Sequence, residues 1–306
     1  MRTNVDHADL AEPIRSAFGD RELVASERLS GGTAKGVYRL RFADGGSCLA
    51  YRWHRDENYW PAQTVLAVGP LGATSSRAAF LDRRERLGAL GVRVPELFAL
   101  GGTDLALVED VRGGSLEDLL ARDVAAGREA LGRLRDQLHR MHAAAGVRPD
   151  DPSPCEEIIA ERGRRALAEA AARVPVIAAQ KERLGYALST RLAAVEPRSR
   201  WGWIHGELGP DHVLMSSAGE PVMIDIEGAM VFDAEWEHAF LELRFHADYP
   251  LLHTVELDPA RMALYRLVQY LSLVAGPLLL LDGDFPDREP MRRIAEWNTA
   301  RVLAEL

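Results

Sequence analysis

The run Ile204-His205-Gly206-Glu207-Leu208-Gly209-Pro210-Asp211-His212-Val213-Leu214, followed by Met223-Ile224-Asp225-Ile226-Glu227, holds the side chains best suited to chemistry. Residues 213–215 and 221–226 are apolar, strand-like runs around the turn Ser216-Ser217-Ala218-Gly219-Glu220. A hairpin of that length returns Asp225 to the loop that carries Glu207 and His212. Gathering these groups suits phosphoryl transfer. One carboxylate receives the acceptor proton, a second holds a divalent metal, and a neutral ligand completes the metal shell.

A second candidate cluster is Ser30-Gly31-Gly32-Thr33-Ala34-Lys35-Gly36, between two strand-like runs. Gly31, Gly32 and Gly36 would let the backbone approach phosphate oxygens and present N–H groups to them. Thr33 and Lys35 would add a hydroxyl and an ammonium. No GxxxxGK[ST] is present, so this is not a Walker A loop.

The elements that must position these groups follow from pattern. Residues 23–54 alternate and are turn-rich, which predicts three antiparallel strands. A helix is expected over 76–90, ended by Gly91-Val92-Arg93-Val94-Pro95, with strands over 96–100 and 105–111. Ser115 with Asp118 makes a near capping box. After Gly114 the chain turns helical, with Leu131, Leu134, Leu138 and Met141 at helical spacing over 128–145. Residues 158–195 predict one or two more helices.

These residues resemble the aminoglycoside phosphotransferase and choline kinase family. Its pattern is H-G-D-x-x-x-x-N, then I-D about a dozen residues on. His205, Gly206, position 212 and Ile224-Asp225 fall in that register. The resemblance implies an α+β, protein-kinase-like two-lobe fold: a small antiparallel β N-lobe over 1–111 and a larger helical C-lobe over 112–306. It implies a small-molecule kinase that moves the γ-phosphoryl of ATP or GTP to an acceptor hydroxyl, with Mg2+ or Mn2+. By the match Asp225 is the metal-binding aspartate and His205 orients the loop by hydrogen bonding. Glu207 stands at the catalytic aspartate position and His212 at the metal-binding asparagine position. Arg52 stands where a phosphate-pairing strand lysine is expected, with Glu85 taken as its helix partner and Asp82 as another candidate. Glu109, Val111 and their neighbours form the hinge whose backbone reads a purine edge. Asp233 resembles an aspartate that buttresses the catalytic loop from a helix start. The substitutions at 52, 207 and 212 keep open a second reading, a non-catalytic kinase-like binding module that works with a partner enzyme.

Composition bounds the rest. The 306 residues, 47% hydrophobic and 27% charged, match an ordinary soluble enzyme large enough for two lobes. A net charge of -9 argues against a nucleic-acid surface. Two cysteines, Cys48 and Cys155, make no disulfide framework and fit a reducing cytoplasm. The most apolar window, 264–281, is expected to be a buried helix and not a membrane span. Glu235 and Glu237 are expected on a solvated helix face. Any of these acids that faced the cleft would favour a cationic acceptor.

Overall fold

The alternation of buried and more exposed side chains along residues 36–42, with a strand buried on both faces over 47–52, builds the sheet that the sequence predicts. The computed structural model describes residues 7–61, 64–72, 75–144, 148, 153–197 and 201–306. The end of the expected helix at Ala145 lies outside the described residues. The first part of the chain runs α1 (His7–Phe18), β1 (Leu23–Arg28), β2 (Gly36–Phe42), β3 (Ser47–Arg52), α2 (Arg77–Ala89), β4 (Leu97–Gly101), β5 (Leu105–Glu109), α3 (Leu116–Arg122) and α4 (Val124–His142). It continues with α5 (Cys155–Arg173), α6 (Pro175–Ala178), α7 (Lys181–Ala193), β6 (Gly202–Ile204), β7 (Val213–Met215), β8 (Pro221–Met223) and β9 (Met230–Phe232). Last come α8 (Ala234–Phe245), α9 (Pro259–Leu280) and α10 (Arg288–Ala304).

The chain divides into two compact units. The first gathers Met1–Tyr59, Thr74–Arg133 and Asp211–Glu227. The second gathers Trp60–Ala73, Leu134–Pro210 and Gly228–Leu306. Each is discontinuous in sequence, so α3, the start of α4 and the β7–β8 hairpin group with the sheet.

In the first unit the antiparallel strands lie in the order β1-β2-β3-β5-β4. Tyr38, Leu40, Phe42, Cys48, Ala50, Leu105 and Leu107 point to one side and bury Leu10 and Ile14 of α1. Those two α1 residues are four apart, on one helical face. Tyr51 and Trp53 point to the other side and meet Phe80 of α2, with ring centroids 5.6 and 5.4 Å away. The hairpin is tied in by its backbone. Met223 N–H donates to the Arg93 carbonyl at 2.9 Å, Gly113 N–H to the Met215 carbonyl at 2.9 Å, and Met215 N–H to the Gly114 carbonyl at 2.8 Å. Ser115 completes the capping box of α3, its hydroxyl accepting from Asp118 N–H at 3.0 Å. Such a cap contributes about 1 kcal/mol.

In the second unit α5 and α9 share a core of Ile159, Leu167, Leu264, Leu267, Val268 and Leu271, joined by Leu188 of α7. Helix α9 is long and apolar enough to cross a membrane, but 67% of its apolar window is buried against the rest of the protein. It is a core helix here, as its buried Arg261 and Gln269 also require. Residues 158–195 form α5, α6 and α7, one break more than expected. Pro175 ends α5 because the residue before a proline avoids the helical region, and Val174 is extended. The short pair β6 and β9 aligns Gly202 with Phe232 and Ile204 with Met230. It lies too few residues from the loop motif to carry a strand signal of its own.

Candidate active site

The glycine segment bends as its composition requires. A side chain at Gly32 would collide with the Lys35 carbonyl, and one at Gly36 would lie 2.5 Å from the Glu57 carboxyl carbon. Glu57 is buried and takes hydrogen bonds from the Arg28 guanidinium at 2.9 Å and from the Tyr38 hydroxyl. Gly31, with φ of 96°, lies at the exposed tip. The Thr33 carbonyl accepts Tyr59 N–H at 2.8 Å, so the segment is pinned from behind.

Lys35 does not project from this loop into solvent. It is 6% exposed, and its Nζ lies 2.5 Å from Asp225 Oδ1 and 2.7 Å from Glu227 Oε1. The ammonium also sits 5.1 Å from the centre of the Tyr51 ring. Burial alone would lower the lysine pKa, but the two carboxylates outweigh it and raise it, so Lys35 is charged. Burial pushes Glu227 up, while Lys35 pulls it back toward the charged form. Trp53 Nε1–H donates to Glu227 Oε1 at 3.1 Å, a second restraint on that carboxylate.

Strand β8 ends at Met223, earlier than the apolar run predicts, and Asp225 lies in the turn that follows. The φ of Asp225 is 60°, in the left-handed region that few non-glycine residues enter. Strain of that kind is tolerated where the surroundings fix it and function uses it. The turn leaves the Asp225 carboxylate half exposed. The hairpin register pairs Val213 with Met223, and Ile224 N–H donates to the His212 carbonyl at 3.0 Å. His212 and Asp225 therefore occupy neighbouring positions at the open end of the hairpin.

Arg52, the expected strand cation, points the wrong way. Side chains alternate along β3, so Arg52 shares the side of Cys48 and Ala50, and Tyr51 faces Phe80 and Lys35. The partner of Arg52 is Asp104, at 3.9 Å. Glu85 is exposed on α2, and Asp82 pairs with Arg86 at 2.8 Å and with Arg83. The ion pair expected between Arg52 and an α2 acid is not formed. At the end of β5 the side chains are committed to neighbours. Glu109 takes the Arg93 guanidinium at 2.6 Å, and Asp110 takes Arg39 at 3.0 Å. Val111 buries its side chain, which leaves backbone and not side-chain chemistry to this segment.

In the second unit, His205 is buried and Glu207 is exposed. A single carboxylate organises their loop. Glu237 of α8 is fully buried and accepts N–H groups from His205, from Gly206 at 3.4 Å and from Leu208. Burial pushes Glu237 up to about 7, against the pull of those three donors. The resemblance points to Asp233 as the buttress and the pattern to Glu235 and Glu237 on a solvated face, whereas Glu237 holds the loop. Asp233 caps α8 and takes the Arg261 guanidinium at 2.7 Å and the Tyr265 hydroxyl at 2.9 Å. Glu235 is buried and accepts Asp258 N–H at 3.2 Å. Both glutamates face inward because α8 is buried nearly all round, and each accepts backbone N–H groups. Their acidity gives no support to a cationic acceptor. The four-residue step from Asp233 to Glu237, one helical turn, was the available signal.

His139 and His142, three residues apart on α4, both pack against Thr254. His142 Nδ1 lies 2.5 Å from Thr254 Oγ1, and burial and the nearby His238 ring lower its pKa to about 3. Burial pushes the Cys48 and Cys155 thiols up to about 12, so neither is a nucleophile.

A sequence model of the phosphotransferase enzyme family, APH, matches residues 40–252. No functionally curated protein matches the chain in sequence. Among solved structures, choline kinase LicA from Streptococcus pneumoniae superposes with a TM-score of 0.64 at 16% identity, covering 96% of this chain and 98% of its own. The GDP complex of an aminoglycoside 2'-phosphotransferase-IIIa mutant gives 0.61 at 20% identity, over 98% and 100%. A thermostable mutant of aminoglycoside phosphotransferase APH(4)-Ia, in a ternary complex with ADP and hygromycin B, gives 0.61 at 16%, over 92% and 93%. At these identities the likeness is one of fold, the kinase-like fold expected from the loop motif. The family match spans β3, the segment after β5, the histidine-glycine loop and the hairpin with Asp225 and Glu227, while Lys35 lies just before it, and the chain belongs to the phosphotransferase enzyme family.

Proposed function

We propose that this chain is a small-molecule kinase that transfers the γ-phosphoryl group of ATP or GTP to an acceptor hydroxyl. The observation that carries the reading is Asp225, held in a left-handed turn with its carboxylate half exposed beside a second carboxylate and an ammonium. Mg2+ or Mn2+ fits this donor set. Asp225 and Glu227 converge on a single cation, Lys35, so a positive charge is already stabilised there. Among the described residues no group of three or more His, Cys, Asp or Glu side chains forms a metal cage. That suits a hard cation held by one or two carboxylates and completed by phosphate oxygens and water. Asp225 would hold the metal with His212, whose nitrogen favours manganese over magnesium. When bound, the metal would neutralise charge on the transferring phosphoryl group.

The chain's own residues supply the remaining roles. Backbone N–H groups of Gly31, Gly32 and Thr33 would receive phosphates, and the backbone from Glu109 to Val111 would meet the purine edge. Glu207, exposed on a loop fixed by Glu237, would orient the acceptor hydroxyl or take its proton. His205, buried in that loop, would orient it by hydrogen bonding. Relatives of the same fold hold GDP, or ADP with hygromycin B, which supports a nucleotide and a hydroxyl-bearing small molecule here. The cytoplasm is the proposed compartment, from the two buried free thiols.

The test is thermal unfolding with ATP, GTP and their diphosphates, with and without Mg2+ or Mn2+, followed by phosphate transfer over a panel of hydroxyl compounds. The expected result is a metal-dependent rise in melting temperature and transfer to one class of acceptor. Absence of any shift would overturn the reading. Nucleotide binding with no transfer over a broad panel would favour the non-catalytic binding module, for which the departures at Glu207 and His212 speak.

A further inference from the structure

Lys35 occupies the place a metal would take. A buried ammonium lies on the same two carboxylates that a divalent metal would use, and it comes from the segment assigned to phosphate binding. We propose that Lys35 and the metal are alternative occupants of the Asp225–Glu227 pair. The ammonium neutralises the carboxylates in the free protein, and it passes to the nucleotide phosphates when metal and nucleotide arrive together. This inference rests on the phosphotransferase reading.

Four observations carry it. Lys35 touches both carboxylates at 2.5 and 2.7 Å, which is direct ion pairing that a metal at the same oxygens would have to displace. Trp53 Nε1–H holds Glu227 at 3.1 Å independently, so the carboxylate keeps its place when the ammonium leaves. Asp225 is half exposed while the Lys35 side chain is 7% exposed, so the approach to the pair is from the Asp225 side. Arg52, the other cation expected at the phosphates, lies on the opposite side of β3 with Asp104, whereas Lys35 lies on the Tyr51 side. A lysine suits the exchange. Its charge is a point on a flexible stem, whereas a guanidinium is a planar fork that fits one partner geometry. The consequence is that metal alone binds weakly and enters with the nucleotide. By reciprocity, metal raises nucleotide affinity by the same factor.

Mn2+ binding to the full chain without nucleotide, read by electron paramagnetic resonance or calorimetry, tests this. ADP binding at saturating Mn2+ is measured alongside. Lys35→Met should bind Mn2+ alone about tenfold more tightly and ADP about tenfold more weakly. Arg52→Ala should leave both affinities as in the wild type. Should Lys35→Met not fold, Lys35→Gln takes its place, because its amide still donates a hydrogen bond to Asp225. A plain structural strut predicts that both affinities fall together in a folded variant. That result, or an unchanged Mn2+ affinity, overturns the sharing of the pair and leaves the kinase reading standing. Failure of the wild type to bind any metal–nucleotide combination overturns both.

Discussion

The Lys35–Asp225–Glu227 cluster and the His205–Glu207 loop are both polar, yet they are held by opposite means. In the cluster, side chain meets side chain, and one carboxylate is half open to solvent. In the loop, one buried carboxylate, Glu237, grips backbone N–H groups and leaves the side chain of Glu207 outward. Charges on flexible side chains can change partners when a ligand brings its own charges. Backbone donors fixed on a buried acid cannot, so they aim a neighbouring group. On the proposed function, the hairpin cluster would exchange partners and the histidine-glycine loop would aim Glu207.

The sharpest way to break this contrast is Glu207→Gln, which keeps the shape and removes the charge. Transfer to an identified acceptor should fall by about 10²–10⁴-fold, with nucleotide affinity unchanged. A parallel loss of nucleotide affinity, measured by calorimetry, would show that the loop also serves the phosphates. Next in size is Asp225→Ala. A ligand at a hundred times its dissociation constant adds about 2.7 kcal/mol of stability, and the metal-dependent part of that gain should vanish. Thermal unfolding with and without Mn2+ reads the difference. An unfolded variant would make Asp225 structural.

Glu237 offers a pH test. Its folded pKa of about 7 lies above the ordinary 4.5, so between these values the native state binds the extra proton. Its contribution to stability is therefore largest below about pH 4.5 and is lost as pH rises toward 7. Urea unfolding of Glu237→Gln should show a flatter stability profile over that window than the wild type. Glu237→Ala, which orphans buried N–H groups, should cost about 1–3 kcal/mol and slow transfer. A slope unchanged in Glu237→Gln would move the titration to another group. The smallest effect belongs to Arg52→Ala. Its 3.9 Å pairing with Asp104 is partly exposed, so the loss should stay under about 1 kcal/mol, and transfer should persist. A large fall in nucleotide affinity would return Arg52 to the phosphates.

Local signals made much of this molecule legible. The turn between residues 213 and 223 places His212 beside Asp225 by hairpin register, which needs only neighbours in sequence. Ser115 and Asp118 announce their helix within four residues. Glycines at 32 and 36 mark a bend that side chains would obstruct, and Gly31 turns it with a φ of 96°. The buried helix α9 was readable from its apolar composition, interrupted by Arg266 and Gln269.

Other features were not local. The sequence by itself determined the family motif, the broad succession of β-rich and helical segments, and the types of side chain available for chemistry. Only the tertiary structure decided which cation meets which acid. Lys35 and Asp225 are 190 residues apart, and no spacing rule links them. Arg52 looked right by position along its strand, but the two-residue period of β3 turned it to the other side of the sheet. Glu237 looked solvated by composition, but packing buried α8 all round and set its carboxylate on the loop's N–H groups. Sequence specifies local geometry because backbone sterics act between neighbours. Partners are chosen by burial, where an unpaired charge is costly and the chain must bring its counter-charge from wherever the fold has placed it.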